Sequence, residues 1–326
     1  MKLLPALDIT FLSGQITRRH TDATHMKLLA ALTIAISLAI GQSNAATQYS
    51  ASENISLFGW LDQYSMVPLG ATACVPTSAT NAMTFLQGAN PTYFGTTLTG
   101  FNYSSWVSTT TTLMSSSYMD TTSANGTIYN HIPYALSKYI TGDCGFANVS
   151  FSGMFPAEYW SDAYPKPTYM TDGLPSWSFL LGALKTNQAT IFSFSSGPGM
   201  GHESTAVGFS WLDDNNDGII QQSENATISF VDPLDPSASY TGGLPDGIAK
   251  ITTAQIWNAG DAAGGELNIT YTQYAGSLPY TGNYELYTGS IDTMFAIVPE
   301  PQTIALLVLS LTFIPLAMRW KCRGRS

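Results

Sequence analysis

The hydrophobic period of this chain changes near its middle, and this change constrains the fold more than any other feature of the sequence. Before the change, residues 74–87 and 176–188 place apolar side chains at helical spacing. After it, the period is two, and the segments predicted as strands are 189–195, 202–211 and 226–232. A helical first half followed by antiparallel strands predicts an α+β fold.

The remaining segments carry weaker signals. Thr92 to Gly126 is rich in Thr, Ser and Gly and is predicted to form long loops or irregular strands. Tyr129 to Ile140 looks helical after Pro133, and short strand-like runs recur from Gly265 to Val298. No internal repeat stands out. We therefore expect one folded domain between two terminal processing segments.

The N-terminal segment has the pattern of a targeting sequence. Met26 and Lys27 precede an apolar run from Leu28 to Ile40, and the small residues Ser43 and Ala45 follow. This predicts a removable signal peptide over 26–45, because the run is shorter than the ~20 residues that span a bilayer. Residues 1–25 are expected to be a mis-annotated leader, with translation starting at Met26. A genuine leader with an internal signal anchor is the alternative.

The C-terminal segment combines three features in order. A Pro-Glu-Pro motif at 299–301 precedes an apolar stretch at 303–318, and a basic end follows with Arg319, Lys321, Arg323 and Arg325. Such a stretch is typical of a short membrane-stop helix whose basic end stays in the cytoplasm. The three features together resemble the PEP-CTERM sorting signal. A plain C-terminal anchor is the alternative.

That resemblance implies a route for the protein. Signal peptidase would remove 26–45, and the membrane transpeptidase exosortase would remove the tail at 299–326. The chain would then be exported across the inner membrane of a Gram-negative host. It would reach the cell surface or the biofilm matrix and contact the membrane only through its cleavable tail. The folded domain would cover 46–298.

The net charge of the mature segment restricts the classes of partner that it can bind. Residues 46–300 contain four Lys, no Arg and twenty Asp or Glu, which leaves a net charge of −16. Nucleic acid and anionic membrane surfaces repel such a chain, so neither is expected as a partner. Divalent cations are compatible with it.

Cysteine usage leaves two interpretations open. The mature segment keeps only Cys74 and Cys144, so no disulfide framework holds it together, and its core must do so. The two thiols could form one bridge, or one could be a working thiol. Cys74 stands where the helix at 74–87 begins, with Pro76 in the first turn. A helix N-terminus favours thiolate over thiol, so Cys74 is the candidate nucleophile.

A nucleophilic thiol needs an imidazole base that an acid or amide orients. His202 begins one predicted strand and Asp232 ends the next, so pairing of the two strands would place them side by side. The other histidine of the mature segment, His131, lies in a Tyr-rich segment and is interpreted as a packing or surface residue. Cys144 has no following helix, and Glu203 should point to the face of the strand opposite His202.

This order of motifs resembles the papain-like cysteine peptidases, and especially those that process bacteriocin leader peptides. The family has Cys-Gly-Pro-[Ala/Thr/Ser] at its nucleophile, whereas residues 74–78 here are Cys-Val-Pro-Thr-Ser, so Val75 replaces the glycine. The resemblance implies a papain-like α+β fold, in which the helix carrying Cys packs on an antiparallel sheet carrying His and Asp.

The same resemblance assigns roles to four residues. Cys74 would attack the carbonyl of a peptide or protein substrate, His202 would act as base and then acid, and Asp232 would orient His202. Gln63 and the Cys74 main-chain N–H would form the oxyanion hole. The alternative is a Cys74 that is merely a buried or disulfide-bonded residue.

A second motif occupies residues 213–224, where acidic and amide side chains alternate around Gly218. The spacing matches the EF-hand loop, which predicts a structural calcium ion. The predicted ligands are Asp213, Asn215, Asp217, the main-chain oxygen of Ile219, Gln221 and Glu224. The loop joins two predicted strands rather than two helices, so an acidic turn that binds nothing is the alternative.

Two functions follow from these observations. The first is an exported cysteine peptidase, or a related acyl-transfer enzyme. The second is a non-catalytic, calcium-binding surface or matrix protein built on a degenerate peptidase fold. The state of the Cys74 thiol separates them, because a free, reactive thiol supports the enzyme and a Cys74–Cys144 disulfide supports the matrix protein.

Overall fold

The computed structural model describes residues 46–196, 201–235, 240–241, 244–245, 249–274 and 284–299. All of them lie within the compact unit Ala46–Ser326. The predicted leader, signal peptide and apolar tail lie outside the described residues. Within the described ranges, no helix has the length and apolar character that crossing a membrane requires.

Short helices make up the smaller part of the structure. The helix His131–Ser137 runs directly into a π-helical segment, Lys138–Asp143, and a 3₁₀ turn at Gln63–Ser65 precedes the helix that begins at Cys74. The α-helices of the described ranges are α1 (Cys74–Ala89), α2 (Pro91–Phe94), α3 (Tyr103–Met114), α4 (His131–Ser137) and α5 (Trp177–Lys185).

Strands make up the larger part. They are β1 (Thr47–Ser52), β2 (Ser150–Phe155), β3 (Met170–Asp172), β4 (Ala189–Ser195), β5 (Gly201–Asp213), β6 (Thr227–Val231), β7 (Tyr240–Thr241), β8 (Leu244–Pro245), β9 (Thr252–Asn258), β10 (Leu267–Tyr274) and β11 (Tyr284–Val298). Antiparallel pairs join β4, β5, β6, β9, β10 and β11 in that order, and β11 pairs again with β4. These six strands form a closed barrel.

Three strands extend the barrel, and one separate pair lies beside it. β1 pairs with β5, β2 pairs with β11, and β3 runs parallel to β2. β7 and β8 form a two-stranded sheet of their own.

The predicted papain-like α+β fold is therefore wrong. The described residues are mostly sheet, with a closed six-stranded antiparallel barrel, extra strands and few helices. Closure depends on β11, whose fifteen residues pair with β10 over the first half and with β4 over the second. A period of two reveals which face a residue takes but not which strand lies beside it, so the sequence pattern could not show this closure.

Helix α3 is a second departure from the expected structure, because its residues were predicted to form loops or irregular strands. Asn102 caps the helix, accepting from the Ser105 N–H at 2.9 Å, and the Ser105 hydroxyl reciprocates. The segment is rich in Thr and Ser, which have modest helix propensity. Burial of Trp106 and Leu113 in the structure outweighs that propensity. The capping box was the local signal that could have identified this helix.

Two hydrophobic clusters explain why β4 is buried on both faces. Phe192 and Phe194 belong to a cluster with residues from all six barrel strands, which fills the barrel. Ile191 points the other way, into a cluster that includes Val75 and Met83 of α1. The helix that begins at Cys74 thus packs on the outside of the barrel.

Candidate active site

Two hydrogen bonds hold the start of α1 against β5. The Ser78 hydroxyl donates to the main-chain oxygen of Glu203 at 2.9 Å, and the Thr205 hydroxyl donates to the main-chain oxygen of Ser78 at 2.8 Å. Ser78 lies one helical turn after Cys74, the first residue of α1. These bonds therefore set the position of the Cys74 thiol relative to β5, the strand on which His202 lies.

Strand pairing brings His202 and Asp232 together, as predicted from their order in the sequence. Thr205 pairs with Val231, so the residue after β6 lies beside the start of β5. His202 Nε2 and Asp232 Oδ1 are 2.7 Å apart, and both residues are buried. The Leu234 N–H donates to the same oxygen at 2.9 Å, and the Tyr271 hydroxyl donates to Oδ2 at 3.4 Å. Asp232 is thus held in place and fixes the orientation of the imidazole.

The charge state of His202 follows from its partners. Burial lowers the pKa of His202, but the charge of Asp232, its hydrogen bond and a hydrogen bond with Cys74 together raise it to about 10. The ring is therefore an imidazolium at neutral pH. Since Nε2 lies on Asp232, Nδ1 is the ring nitrogen left for the thiol. This arrangement places a positive charge beside Cys74.

A cavity of about 780 Å³ opens beside these residues, and both Cys74 and His202 line it. Its other walls include 124–130, Tyr159, Glu266 just before β10, and the barrel residues Ser195, Gly201, Ser290 and Asp292. A volume of this order accommodates a drug-sized ligand or a short peptide segment. The thiol and the imidazole therefore face a space that a substrate can enter.

Tyr129 is a wall residue that sequence reasoning missed. Its hydroxyl lies so close to Gly201 that a Cβ at that position would collide with it unless the Tyr129 side chain moved. Tyr129 is also hydrogen-bonded to Asp292, and its ring lies 5.2 Å from that of Tyr159. Nothing in the local sequence links residues this far apart. Gly201 and Asp292 come near each other because β4 pairs with both β5 and β11.

Gln63 lies near the acid rather than in the cavity wall. Its main-chain N–H donates to the Pro233 oxygen at 3.0 Å, and its side-chain amide donates to the Gly70 oxygen at 3.1 Å. Its Oε1 is buried and has no partner among the described residues. The amide hydrogen bond to Gly70 engages the group that would stabilise an oxyanion, so that role stays a prediction.

Ala73, the N-cap of α1, makes no side-chain hydrogen bond to the helix.

Glu203 is a buried acid next to the site. It is 1% exposed, and its Oε2 has no hydrogen-bond partner in the part of the chain that the structure describes. Burial raises the pKa of Glu203 well above its usual range, and Cys74 adds to that rise. Glu203 therefore favours its neutral form more than an ordinary glutamate does, and it does not orient the imidazole, which Asp232 holds.

Cys144 and His131, the other thiol and the other histidine of the described ranges, do not line the cavity. Cys74 and Cys144 are both free in the structure. Cys144 Sγ lies 3.7 Å from the Thr97 oxygen, and burial raises the pKa of its thiol. His131 is buried, with Nδ1 3.1 Å from the Met119 oxygen and its ring packed on Tyr164. These environments suit packing roles.

The predicted calcium loop joins β5 to β6 and closes on its own main chain. Asp213 accepts from the N–H groups of Asp217 and Gly218 at 3.2 and 3.1 Å, and Gly218 has a φ of 73°. Both Glu224 carboxylate oxygens also accept hydrogen bonds, one of them from the Trp211 ring N–H. Oxygen donors suit calcium. However, the described residues contain no group of three or more His, Cys, Asp or Glu close enough to hold a metal ion. Calcium binding stays a prediction.

Addition of calcium tests the loop. If the loop binds Ca²⁺, the thermal midpoint should rise, since a ligand at one hundred times its dissociation constant stabilises by about 2.7 kcal/mol. Asp217→Ala should abolish the rise. Asp214→Ala removes an exposed charge at a position that the pattern does not use, and should retain the rise. A midpoint that responds to neither calcium nor chelator would identify the loop as an ordinary acidic turn.

Comparison with known proteins assigns the chain to no family. No protein-family model matches it, and no curated protein shows significant similarity to it. What the site can do therefore follows from its own chemistry, a thiol at a helix start, an imidazolium held by a carboxylate, and a cavity beside both.

Proposed function

We propose that the protein is an exported cysteine hydrolase that cleaves peptide bonds, or transfers acyl groups, through Cys74, His202 and Asp232. The observation that carries the proposal is the buried His202–Asp232 hydrogen bond of 2.7 Å beside a free thiol at the edge of a cavity. A structural cysteine requires neither the charged partner nor the open space. The cell surface or the biofilm matrix is the expected place of action.

The reaction would proceed in two stages. In the first, the Cys74 thiolate attacks the substrate carbonyl carbon and forms a C–S bond, and the carbonyl oxygen takes up the negative charge. The His202 imidazolium then donates its proton to the leaving nitrogen as the C–N bond breaks, which leaves a thioester on Cys74. In the second stage, neutral His202 removes a proton from water, the resulting hydroxide attacks the thioester, and the acid product and thiolate are released.

The other groups of the site would assist these steps. Asp232 keeps the imidazole oriented and stabilises its positive charge. The main-chain N–H of Cys74, at the start of α1, is a donor for the developing oxyanion. Gln63 would be a second donor if its amide leaves Gly70 when substrate binds. An amine in place of water in the second stage would give acyl transfer instead of hydrolysis.

Alkylation of the two thiols at different pH values tests the proposal. At pH 6 an ordinary thiol, with a pKa near ~8.5, is almost wholly protonated and reacts slowly. We expect iodoacetamide to modify Cys74 at least about tenfold faster than Cys144 at that pH, because the imidazolium favours the Cys74 thiolate. His202→Ala should remove most of this difference. Peptide mass spectrometry measures each site separately.

Two controls complete the test. His131→Ala removes the other buried histidine and should leave the rate at Cys74 unchanged. Cys144→Ser should also leave it unchanged. Equal, slow reaction of both cysteines at pH 6, or isolation of a Cys74–Cys144 disulfide, would exclude the enzyme and favour the non-catalytic surface protein.

A further inference from the structure

Two carboxylates share one wall of the cavity beside Cys74. Asp292, which is 8% exposed, and the half-buried Glu266 both line it. Burial and the charge of Glu266 raise the pKa of Asp292, whereas hydrogen bonds from Ser195, Ser290 and Tyr129 lower it. The net effect is a raised pKa of Asp292, and the two acids are close enough to repel each other.

No basic side chain in the described part of the chain neutralises this wall. His202 lines the cavity, but its charge is paired with Asp232. The Lys residues of the described ranges do not line the cavity, and two of them are paired elsewhere, Lys166 with Asp172 and Lys250 with Asp235. A cleft lined by charge of one sign raises the local concentration of ions of the opposite sign.

Two further features of the wall favour a positively charged ligand that donates hydrogen bonds. The first is an unpaired acceptor, and the second is a pair of aromatic rings. Asn130 lines the cavity and is buried; its Nδ2 donates to the Tyr159 oxygen at 2.8 Å. Its Oδ1 has no partner within the described ranges, and an unpaired buried acceptor is costly. Tyr129 and Tyr159 add two aromatic rings with centroids 5.2 Å apart, and aromatic faces attract cations.

From these contacts we infer that the cavity binds a cationic group of the substrate, an ammonium or guanidinium, close to the bond that Cys74 attacks. Such a group carries only hydrogen-bond donors, and Asp292, Glu266 and Asn130 Oδ1 offer only acceptors. The positive charge would relieve the repulsion between the two carboxylates. This inference rests on the proposed function, since it names the class of substrate that the same site accepts.

Charged thiol reagents of similar size test the inference without a known substrate. The probes are the aminoethyl, sulfonatoethyl and methyl methanethiosulfonates, of which the first is a cation with N–H donors, the second an anion and the third neutral. In each case the thiolate attacks sulfur, a mixed disulfide forms and methanesulfinate leaves. We expect the ratio of cationic to anionic reaction rates to be about tenfold higher at Cys74 than at Cys144 in the same molecule.

Substitutions in the wall should reduce that ratio. Asp292→Asn and Glu266→Gln should each lower it several-fold at Cys74 and leave it unchanged at Cys144. Glu285→Gln removes the same charge from an exposed position of β11 that does not line the cavity, and should leave both ratios unchanged. If Asp292→Asn does not fold, the half-buried Glu266→Gln still decides the question.

The results distinguish failure of the inference from failure of the proposed function. The neutral reagent normalises for thiol reactivity, so the charge preference is measurable even if Cys74 is an ordinary thiol. Equal ratios at Cys74 and Cys144, or an equal response to Glu266→Gln and Glu285→Gln, would overturn the cationic site. The iodoacetamide test at pH 6 would be unaffected by that outcome.

Discussion

Cys74→Ala is expected to abolish peptide turnover, and His202→Ala is expected to lower kcat/KM by about 10³-fold or more. Cys74 is the only described thiol that contacts the His202–Asp232 pair, so its removal takes away the proposed nucleophile. Removal of His202 deletes both the charge that favours the thiolate and the acid that protonates the leaving group. Asp232→Asn should have a smaller effect, because it weakens orientation but leaves the base in place.

The measurement needs a substrate that the wild-type protein selects. A library of fluorogenic peptides, half of them with Lys or Arg next to the cleaved bond, provides one, and initial rates then give kcat/KM for each variant. Cys144→Ala and His131→Ala are matched controls, since neither residue lines the cavity, and both should retain turnover. Unchanged turnover in Cys74→Ala would show that the activity belongs to another site or to a contaminant.

The free energy of unfolding is expected to fall as the pH rises from 7 to 9, because of His202. In the folded chain the pKa of His202 is raised from 6.5 to about 10, since the pull of Asp232 exceeds the opposing effect of burial. A raised folded-state pKa means that the proton stabilises the fold. The stabilisation is complete below about pH 6.5 and is lost as the pH rises toward 10. Each pH unit in this window costs up to about 1.4 kcal/mol for one proton.

Urea unfolding at pH 7 and pH 9 measures this loss. The Cys74→Ser background is preferable, because the thiol then no longer titrates and Asp232, the main cause of the raised pKa, remains. Asp232→Asn in that background should flatten the pH dependence, whereas Asp214→Asn, an exposed acid, should not. The raised pKa of Glu203 also makes the free energy of unfolding fall as the pH rises. Because Glu203 is present in Cys74→Ser and in both double variants, its contribution cancels in the comparison. Equal slopes with and without Asp232 would contradict a buried imidazolium.

Local patterns in the sequence predicted many of the elements correctly. The helix from Ser176 is observed as α5, and Ser176 caps it by accepting from the Phe179 N–H at 3.2 Å. The strands predicted over 189–195, 202–211 and 226–232 are observed as β4, β5 and β6 within a few residues. These predictions succeed because spacing and capping are properties of consecutive residues. Helix α3 was missed because burial, rather than propensity, stabilises it.

Some residues of the candidate site could be predicted from local sequence patterns, and others could not. Cys74, His202 and Asp232 could be selected from the sequence, since each has a local signal: a helix start, a strand start and a strand end. Asp292 and Glu266 have no such signal. They reach the cavity because β10 and β11 close the barrel. No local pattern in the sequence shows which strands will be neighbours.

By itself, therefore, the sequence determined the period of each segment, the strongly acidic balance of the mature chain and the residues with suitable chemistry for a thiol-dependent reaction. Only the tertiary structure decided that the sheet closes and which side chains surround the thiol. β4 illustrates the physical reason, because both of its faces are buried and its partner β11 lies about one hundred residues away, with Ser193 hydrogen-bonded to Thr293. Which distant strand pairs with β4 depends on how well the side chains on both faces of β4 pack, and no local pattern shows this.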